Sequence, residues 1–469
     1  MSFFLLKVVL VSCFFTGSCQ AALVMPPLIS GVPFAGVLLS IAFGPLLFPR
    51  VWHKWENWLL VFWVVISTWL CSTTMGTYAV GHVVAAVIIK EYLPFVILIM
   101  TLYIISNGIT LTIHKKGTTG VNVALFLAGG VLANLIGTTG TAILLLRPML
   151  DVNKHRKHKV HTVIFFIFLV ANIGGCLLPF GDPPLFLGYL KGVHFLWTAK
   201  HIFPIFAFVE TLLVLAYVAL DRFYFAKNSD ELVVPQEATA SEGSGVTMSG
   251  GLNIVLMLLA VVLISWSGTL PKKPAFSIFK AHVHYKSIAR ELGLMVISGI
   301  ALWNFHHAEN RSKSKRVILW GPINEVARIF LAIFITMAPI SIMLRGGHEF
   351  FQPICTLLKN SSHAAFWYFW FVSPFSALLD NAPTYLVFFK MAGGDPIYLM
   401  TEGQQILVAI SAGAVFMGAM TYIGNAPNFM VQSIAKQYGI HVPSFFGYLK
   451  WSCLILLPVL AFASWVFLY

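Results

Sequence analysis

The sequence predicts an all-α polytopic membrane protein made of two inverted repeats of about five spans each. Each repeat is expected to hold a re-entrant hairpin and a broken helix. Three observations lead there. The chain of 469 residues is 58% hydrophobic and only 10% charged, with a mean hydropathy of +0.84, a composition of membrane proteins rather than soluble cores. Its apolar stretches run for about 17–25 residues, the length of spanning helices and not of barrel strands. Two separate stretches also recur at a single offset of 243 residues. Phe180-Gly-Asp-Pro-Pro-Leu-Phe186 falls on Ile423-Gly-Asn-Ala-Pro-Asn-Phe429, and Thr141–Arg147 falls on Thr384–Lys390.

Composition also excludes several functions. The net charge of +13 does not call for a nucleic-acid partner, because the basic residues sit in short loops between spans, as the positive-inside rule produces. Six cysteines (13, 19, 71, 176, 355, 453) form no CxxC pair and read as small hydrophobes. The fifteen histidines are scattered, concentrated only in basic loops (155, 158, 161; 306, 307), which argues against a metal site. No HExxH and no nucleophile motif is present, so an enzyme is not expected, and no cofactor beyond transported Na⁺ and H⁺.

In chain order, residues 1–21 read as a secretory signal or an uncleaved first span. The first repeat is placed at 22–225, with spans near 28–48, 58–90 (interrupted by Ser72-Thr-Thr-Met-Gly76, where a bend is expected) and 92–112, a hairpin within 121–150, a broken span near 161–188 and a last span near 199–222. A Ser-, Gly-, Glu- and Thr-rich cytoplasmic linker follows at 226–250. The second repeat, 251–469, has spans near 251–268, 289–304 and 317–344, a hairpin at Ala364–Met391, a broken span near 404–432 and a last span near 448–468.

Charge supports the hairpins. The arm Val121–Ile136 is about 24 Å long at 1.5 Å per residue, short of a hydrocarbon core of roughly 30 Å. Lys115 and Lys116 precede the hairpin, and Arg147, Lys154, Arg156, Lys157 and Lys159 follow it. A hairpin that re-enters keeps both basic flanks cytoplasmic. If the second repeat is inverted, its hairpin flank should lack that charge, and Lys390–Glu402 carries one Lys against two acids.

The stretch Asn172–Pro184, NIGGCLLPFGDPP, organises the chemistry. Its glycines and prolines deny it a regular helix inside an apolar setting. Unwound backbone at membrane depth is tolerated only where protein buries it or it lines a cavity, and Asp182 sits within the break. At the shared offset Asp182 corresponds to Asn425, and Gly137 to Asp380 of Asp380-Asn-Ala-Pro383. Each half is therefore expected to hold its own polar cluster. The first gathers Asn134, Thr138, Thr139 and Asp182, with Asn172 opening the break; the second gathers Asp380, Asn381, Asn425 and Asn428. One carboxylate among neutral oxygen donors suits a hard monovalent cation. A proton can neutralise the same group, so the two bind exclusively. No Lys or Arg lies within either motif to pair with an anion, though helix N-termini at the breaks could bind a carboxylate. Glu325 is a candidate for a proton path, or, with Glu91 and Arg328, an interfacial anchor. Glu210 is a lone acid inside a span that another span could partner.

At these motifs the chain resembles the ion transporter superfamily, in particular the NhaD-type sodium/proton antiporters and the adjoining citrate-transporter-like family. The matching residues are Gly137-Thr-Thr-Gly140, Arg147-Pro148, Asn172-Ile-Gly-Gly175, Gly181-Asp-Pro-Pro-Leu-Phe-Leu-Gly188, Asp380-Asn-Ala-Pro383 and Gly424-Asn-Ala-Pro-Asn428. The resemblance implies scaffold and transport regions, hairpin tips meeting broken helices, and often a homodimer with an elevator-like motion. Leu178-Pro-Phe180 stands where the antiporter pattern has Thr-Pro and an aliphatic residue, and the Ser-Asn-Thr signature of dicarboxylate carriers is missing from both hairpins. Two functions follow: antiport of Na⁺ against H⁺, or cation-coupled symport of citrate or a related carboxylate. Either places the chain in a lipid bilayer, with a bacterial inner (plasma) membrane expected, and makes its partners small ions or carboxylates.

Overall fold

The computed structural model describes residues 25–226, 245–271, 273–278, 281–311, 318 and 320–469. The segment 1–21 and most of the 226–250 linker lie outside the described residues. The first half contains α1 (Val32–Leu47), α2 (Pro49–Met75), α3 (Thr77–Asn107), strand β1 (Thr110–Ile113), α4 (Thr119–Val152), α5 (Val160–Leu169), α6 (Pro183–Lys191) and α7 (Trp197–Ala226). Then come β2 (Val246–Ser249), α8 (Gly251–Thr269), the ribbon β3 (Pro274–Ile278) and β4 (Ala281–His284), α9 (Tyr285–Arg311), α10 (Trp320–Gly346) and α11 (Gln352–Asn360). The chain closes with α12 (Ala364–Leu379), α13 (Asn381–Met391), α14 (Pro396–Met400), α15 (Gln404–Met417), α16 (Ala426–Gln437) and α17 (Phe445–Leu468). Nine helices among the described residues are long and apolar enough to cross a membrane, so the polytopic helical fold is as expected.

One expectation about the spans is corrected. Spans at 58–90 and 92–112 are instead α2 and α3, divided at Gly76, whose φ of 80° ends the first helix. The charged pair Lys90-Glu91 imitates a loop, but it sits in a π turn (Ile88–Tyr92) within α3, where Glu91 pairs with Lys191. Two short two-stranded ribbons accompany the helices without changing the all-α class: β1 pairs antiparallel with β2, and β3 with β4.

Helix α4 doubles back. Its 34 residues are interrupted at Gly137, whose φ of 78° and ψ of 156° are open to glycine at little cost. The two ends then meet. Gly117 N donates to Val152 O at 2.8 Å, and Asn122 and Asn153 exchange amide hydrogen bonds at 3.1 and 2.7 Å. Buried Asp221 of α7 clamps that base: it accepts two bonds from Arg156 (2.8 and 2.9 Å) and one from Thr119 Oγ1 (2.5 Å), with His161 Nε2 2.7 Å away. Helices α12 and α13 make the corresponding turn at Asp380.

The short, largely apolar helices α5 and α15 fill the centre, with α5 buried from His161 on and α15 from Leu407 on. At about 1.5 Å per residue neither spans a bilayer, and each gives way to unwound chain before α6 or α16 begins.

Candidate ion-binding site

Glycine makes the breaks possible. A Cβ on Gly181 would lie 2.0 Å from the Gly175 carbonyl, and one on Gly424 would lie 2.6 Å from that of Gly418. Each unwound segment can therefore fold tightly against itself before its second helix starts. Asp182 (φ −142°, ψ 145°) precedes α6, and Asn425 (φ −151°, ψ 140°) precedes α16 in the same extended conformation. The hairpin turns match as well: Asp380 adopts φ 82° and ψ 145°, almost the geometry of Gly137. For a residue with a Cβ this is strained, and such strain concentrates at functional positions.

The four tips converge on Asp182, which is 1% exposed. Its Oδ1 accepts from Thr138 Oγ1 and from Asn425 Nδ2, each at 3.1 Å, and its Oδ2 accepts from Asn381 Nδ2 at 2.6 Å. Asn425 Nδ2 also reaches Asn172 Oδ1 at 3.1 Å, and Asn172 Nδ2 donates to Asn428 Oδ1 at 2.7 Å. Asp380 is half-buried at its turn, where its Oδ1 accepts from Ala382 N.

The expectation of one cluster per half is thereby corrected. Asp182 binds one donor from its own half and two from the other, so the halves share a single site. The reason is geometric: Asp182 and Asn425, 243 residues apart, meet directly where the two breaks face each other. Asn134 has a different task from the one expected. Its Nδ2 donates to the Gly130 and Gly174 carbonyls, and its Oδ1 accepts from Leu177 N and Leu178 N, so the side chain holds the unwound segment in place. Thr139, half-buried, stands beside Thr138 but outside these bonds. Glu325 is exposed near the start of α10, and Arg328 pairs with Glu56 at 2.8 Å.

Sequence reasoning missed Ser376 and Thr421. Ser376 Oγ lies 2.9 Å from Asn381 Oδ1 and 2.5 Å from the Ala414 carbonyl, which orients the amide toward Asp182. Thr421 Oγ1 donates to the Ala377 carbonyl and accepts from Ile423 N and Gly424 N, tying the second break to its hairpin. Both sit within five residues of a singled-out motif, the one signal that could have found them.

The donor inventory limits what the site can hold. Four helix N-termini point into it, yet their first-turn N–H groups are largely withdrawn. Pro183, Pro184, Pro383 and Pro427 have none, and Leu185 N and Asn428 N turn back to the carbonyls of Asp182 and Asn425. Thr138 N is taken by the Gly181 carbonyl. Around the Asp182 carboxylate stand the Asn381 and Asn425 amides and the Thr138 hydroxyl, all donating to it.

Residues 24–468 match the CitMHS_2 family model, described as "Putative citrate transport". The chain belongs to the CitMHS_2 family. It is also similar to the Na(+)/H(+) antiporter NhaD of Vibrio parahaemolyticus, at 24% identity over 362 residues, 72% of this chain and 79% of that protein. The CitMHS_2 member described here is thus an integral membrane transport protein and not an enzyme.

Proposed function

We propose that this protein is a secondary active transporter exchanging Na⁺ for H⁺, both competing for the site around Asp182 and Asp380. The observation that carries this reading is a buried carboxylate ringed by amides and a hydroxyl, at helix starts where prolines remove four first-turn N–H groups. A hard cation finds carboxylate, amide and hydroxyl groups there, whereas the donors an anion would need are already spent on Asp182 and no cationic side chain bonds to the cluster. Thr138, Asn172, Asn381, Asn425 and Asn428 shape the cation site as neutral ligands or as props for the ligands. Asp182 and Asp380 alternate between proton and cation. The similarity to an antiporter supports the same substrate pair.

The same reading takes the two halves, 22–225 and 251–469, as inverted repeats, with α4 and the α12–α13 pair as re-entrant hairpins. The meeting of Gly117 with Val152 supports this, because a crossing helix would hold its ends a membrane apart. So does the recurrence of helix starts at one offset, Thr77 with Trp320 and Pro183 with Ala426. A homodimer in which the shared site rides past a fixed scaffold completes the reading.

A second reading, cation-coupled symport of citrate or another carboxylate, is favoured by the convergence of four helix N-termini and by the family description. Proteoliposomes assayed in parallel for Na⁺-driven proton movement and for labelled citrate uptake separate the two. Na⁺/H⁺ exchange without citrate uptake is expected, and Na⁺-dependent citrate accumulation would overturn the antiport assignment.

A further inference from the structure

Glu210 lies in the middle of α7 and takes no part in the cluster around Asp182. It is 6% exposed, and neither carboxyl oxygen has a hydrogen-bond partner. The carboxyl rests against bare backbone: a Cβ placed on Gly130 would come within 3.3 Å of Glu210 Oε1. Gly130 of α4 and Gly174 of the first break cross there, a Cβ on Gly174 standing only 2.7 Å from Gly130 Cα. The two carbonyls at that crossing are occupied by Asn134 Nδ2, and carbonyls could donate nothing to a carboxylate in any case.

The neighbouring elements do not compensate the charge either. α7 packs on α4, α5, α15, α17 and the Ile173–Gly175 turn. The titratable groups these elements carry are Arg147 and Asp151 at the far end of α4, His161 at the start of α5, and Tyr448, Lys450 and Cys453 at the start of α17, with the Cys176 thiol just after the turn. Among the described residues none of them bonds to or forms an ion pair with Glu210. An ionised carboxylate cannot persist dry, unbonded and unpaired; it takes a proton or finds water. An apolar side chain would fill the same space at no such cost, so packing alone does not account for an acid there.

We propose that Glu210 is a second proton-binding site, separate from the Asp182 cluster, that is loaded while α7 is seated on the Gly130–Gly174 crossing and unloads when water reaches that contact. Asn134 links the crossing to Leu177 and Leu178, which lead into Asp182, so Glu210 is placed to tie a proton to the setting of the first break.

Infrared difference spectra of the purified protein in lipid, recorded across a pH titration, test this. Wild type should show the carbonyl stretch of a protonated, non-hydrogen-bonded carboxyl; Glu210→Gln should lose that band, and Asp182→Asn should keep it. An acid region unchanged in Glu210→Gln would overturn the proposal. Should that variant fail to insert, wild-type protein treated with a hydrophobic carbodiimide decides. An adduct on the Glu210 peptide at neutral pH that disappears in alkali supports the site, and no adduct at either pH refutes it. Both readouts report a bound proton and not flux, so they stand or fall whichever substrate the Asp182 cluster carries.

Discussion

Replacing Asp182 by Asn removes one charge while keeping the shape of the side chain, and the structure says how the fold absorbs it. With the amide oxygen kept toward Thr138 Oγ1 and Asn425 Nδ2, the new NH₂ would confront Asn381 Nδ2, which stands 2.6 Å from the oxygen it replaces. Left unrelieved, two buried donors facing each other would cost about 1–3 kcal/mol. Asn381 can rotate its amide instead. Its oxygen then accepts from the new NH₂, and its own NH₂ donates to Ser376 Oγ, 2.9 Å from the present Oδ1, a hydroxyl that keeps donating to the Ala414 carbonyl. Every partner is retained and a buried charge is gone, so the variant should insert and fold at wild-type levels. Function should not survive. A unit charge about 4 Å from a cation attracts it by about 4 kcal/mol at an effective dielectric of about 20. Its loss weakens Na⁺ binding about a thousandfold. The assay is Na⁺-dependent collapse of a proton gradient in everted vesicles, with expression and thermal stability measured on the same preparations. Wild-type exchange by the folded variant would remove Asp182 from the mechanism, and failure of the variant to fold would refute the amide rotation.

Thr138→Ala should weaken apparent Na⁺ affinity by about 10–100-fold, the worth of a hydrogen bond to a charged group. Thr139→Ala should change it little; equal effects in a Na⁺ titration would contradict the geometry. Asp380→Gly and Asp380→Ala should both abolish exchange. The glycine variant should melt higher by the equivalent of about 1–3 kcal/mol, because only it relieves the positive φ. Asp221→Ala, which strands the buried Arg156 guanidinium at the base of α4, should cost about 3–5 kcal/mol of stability in a denaturant or thermal series. Cysteines introduced at Lys115 and Lys154 should react with an impermeant thiol reagent from one and the same side, and cysteines within Gly393–Glu402 from the other. Lys115 and Lys154 labelling from opposite faces would end the hairpin reading.

The sequence by itself determined the class of molecule and the places where its helices break. Apolar runs longer than any soluble core requires leave only helices in a bilayer, because every backbone polar group must be satisfied within its own segment. Gly174-Gly175 loosens the backbone and Pro179, Pro183 and Pro184 cannot continue a helix begun before them, so the break before Asp182 could be read directly, and the repeat offset carried it to Asn425. Other features required the tertiary structure. Lys90-Glu91 imitates a loop, yet it lies inside a helix because Lys191, a hundred residues away, answers the charge of Glu91. Asn134 and Thr138 are both polar residues near one hairpin turn. Only packing decides that the first spends its amide on the backbone of the break while the second reaches Asp182. The pooling of two expected clusters into one arises likewise from the two halves facing each other, since a hydrogen bond between residues 182 and 425 depends on a meeting in space that no local spacing encodes.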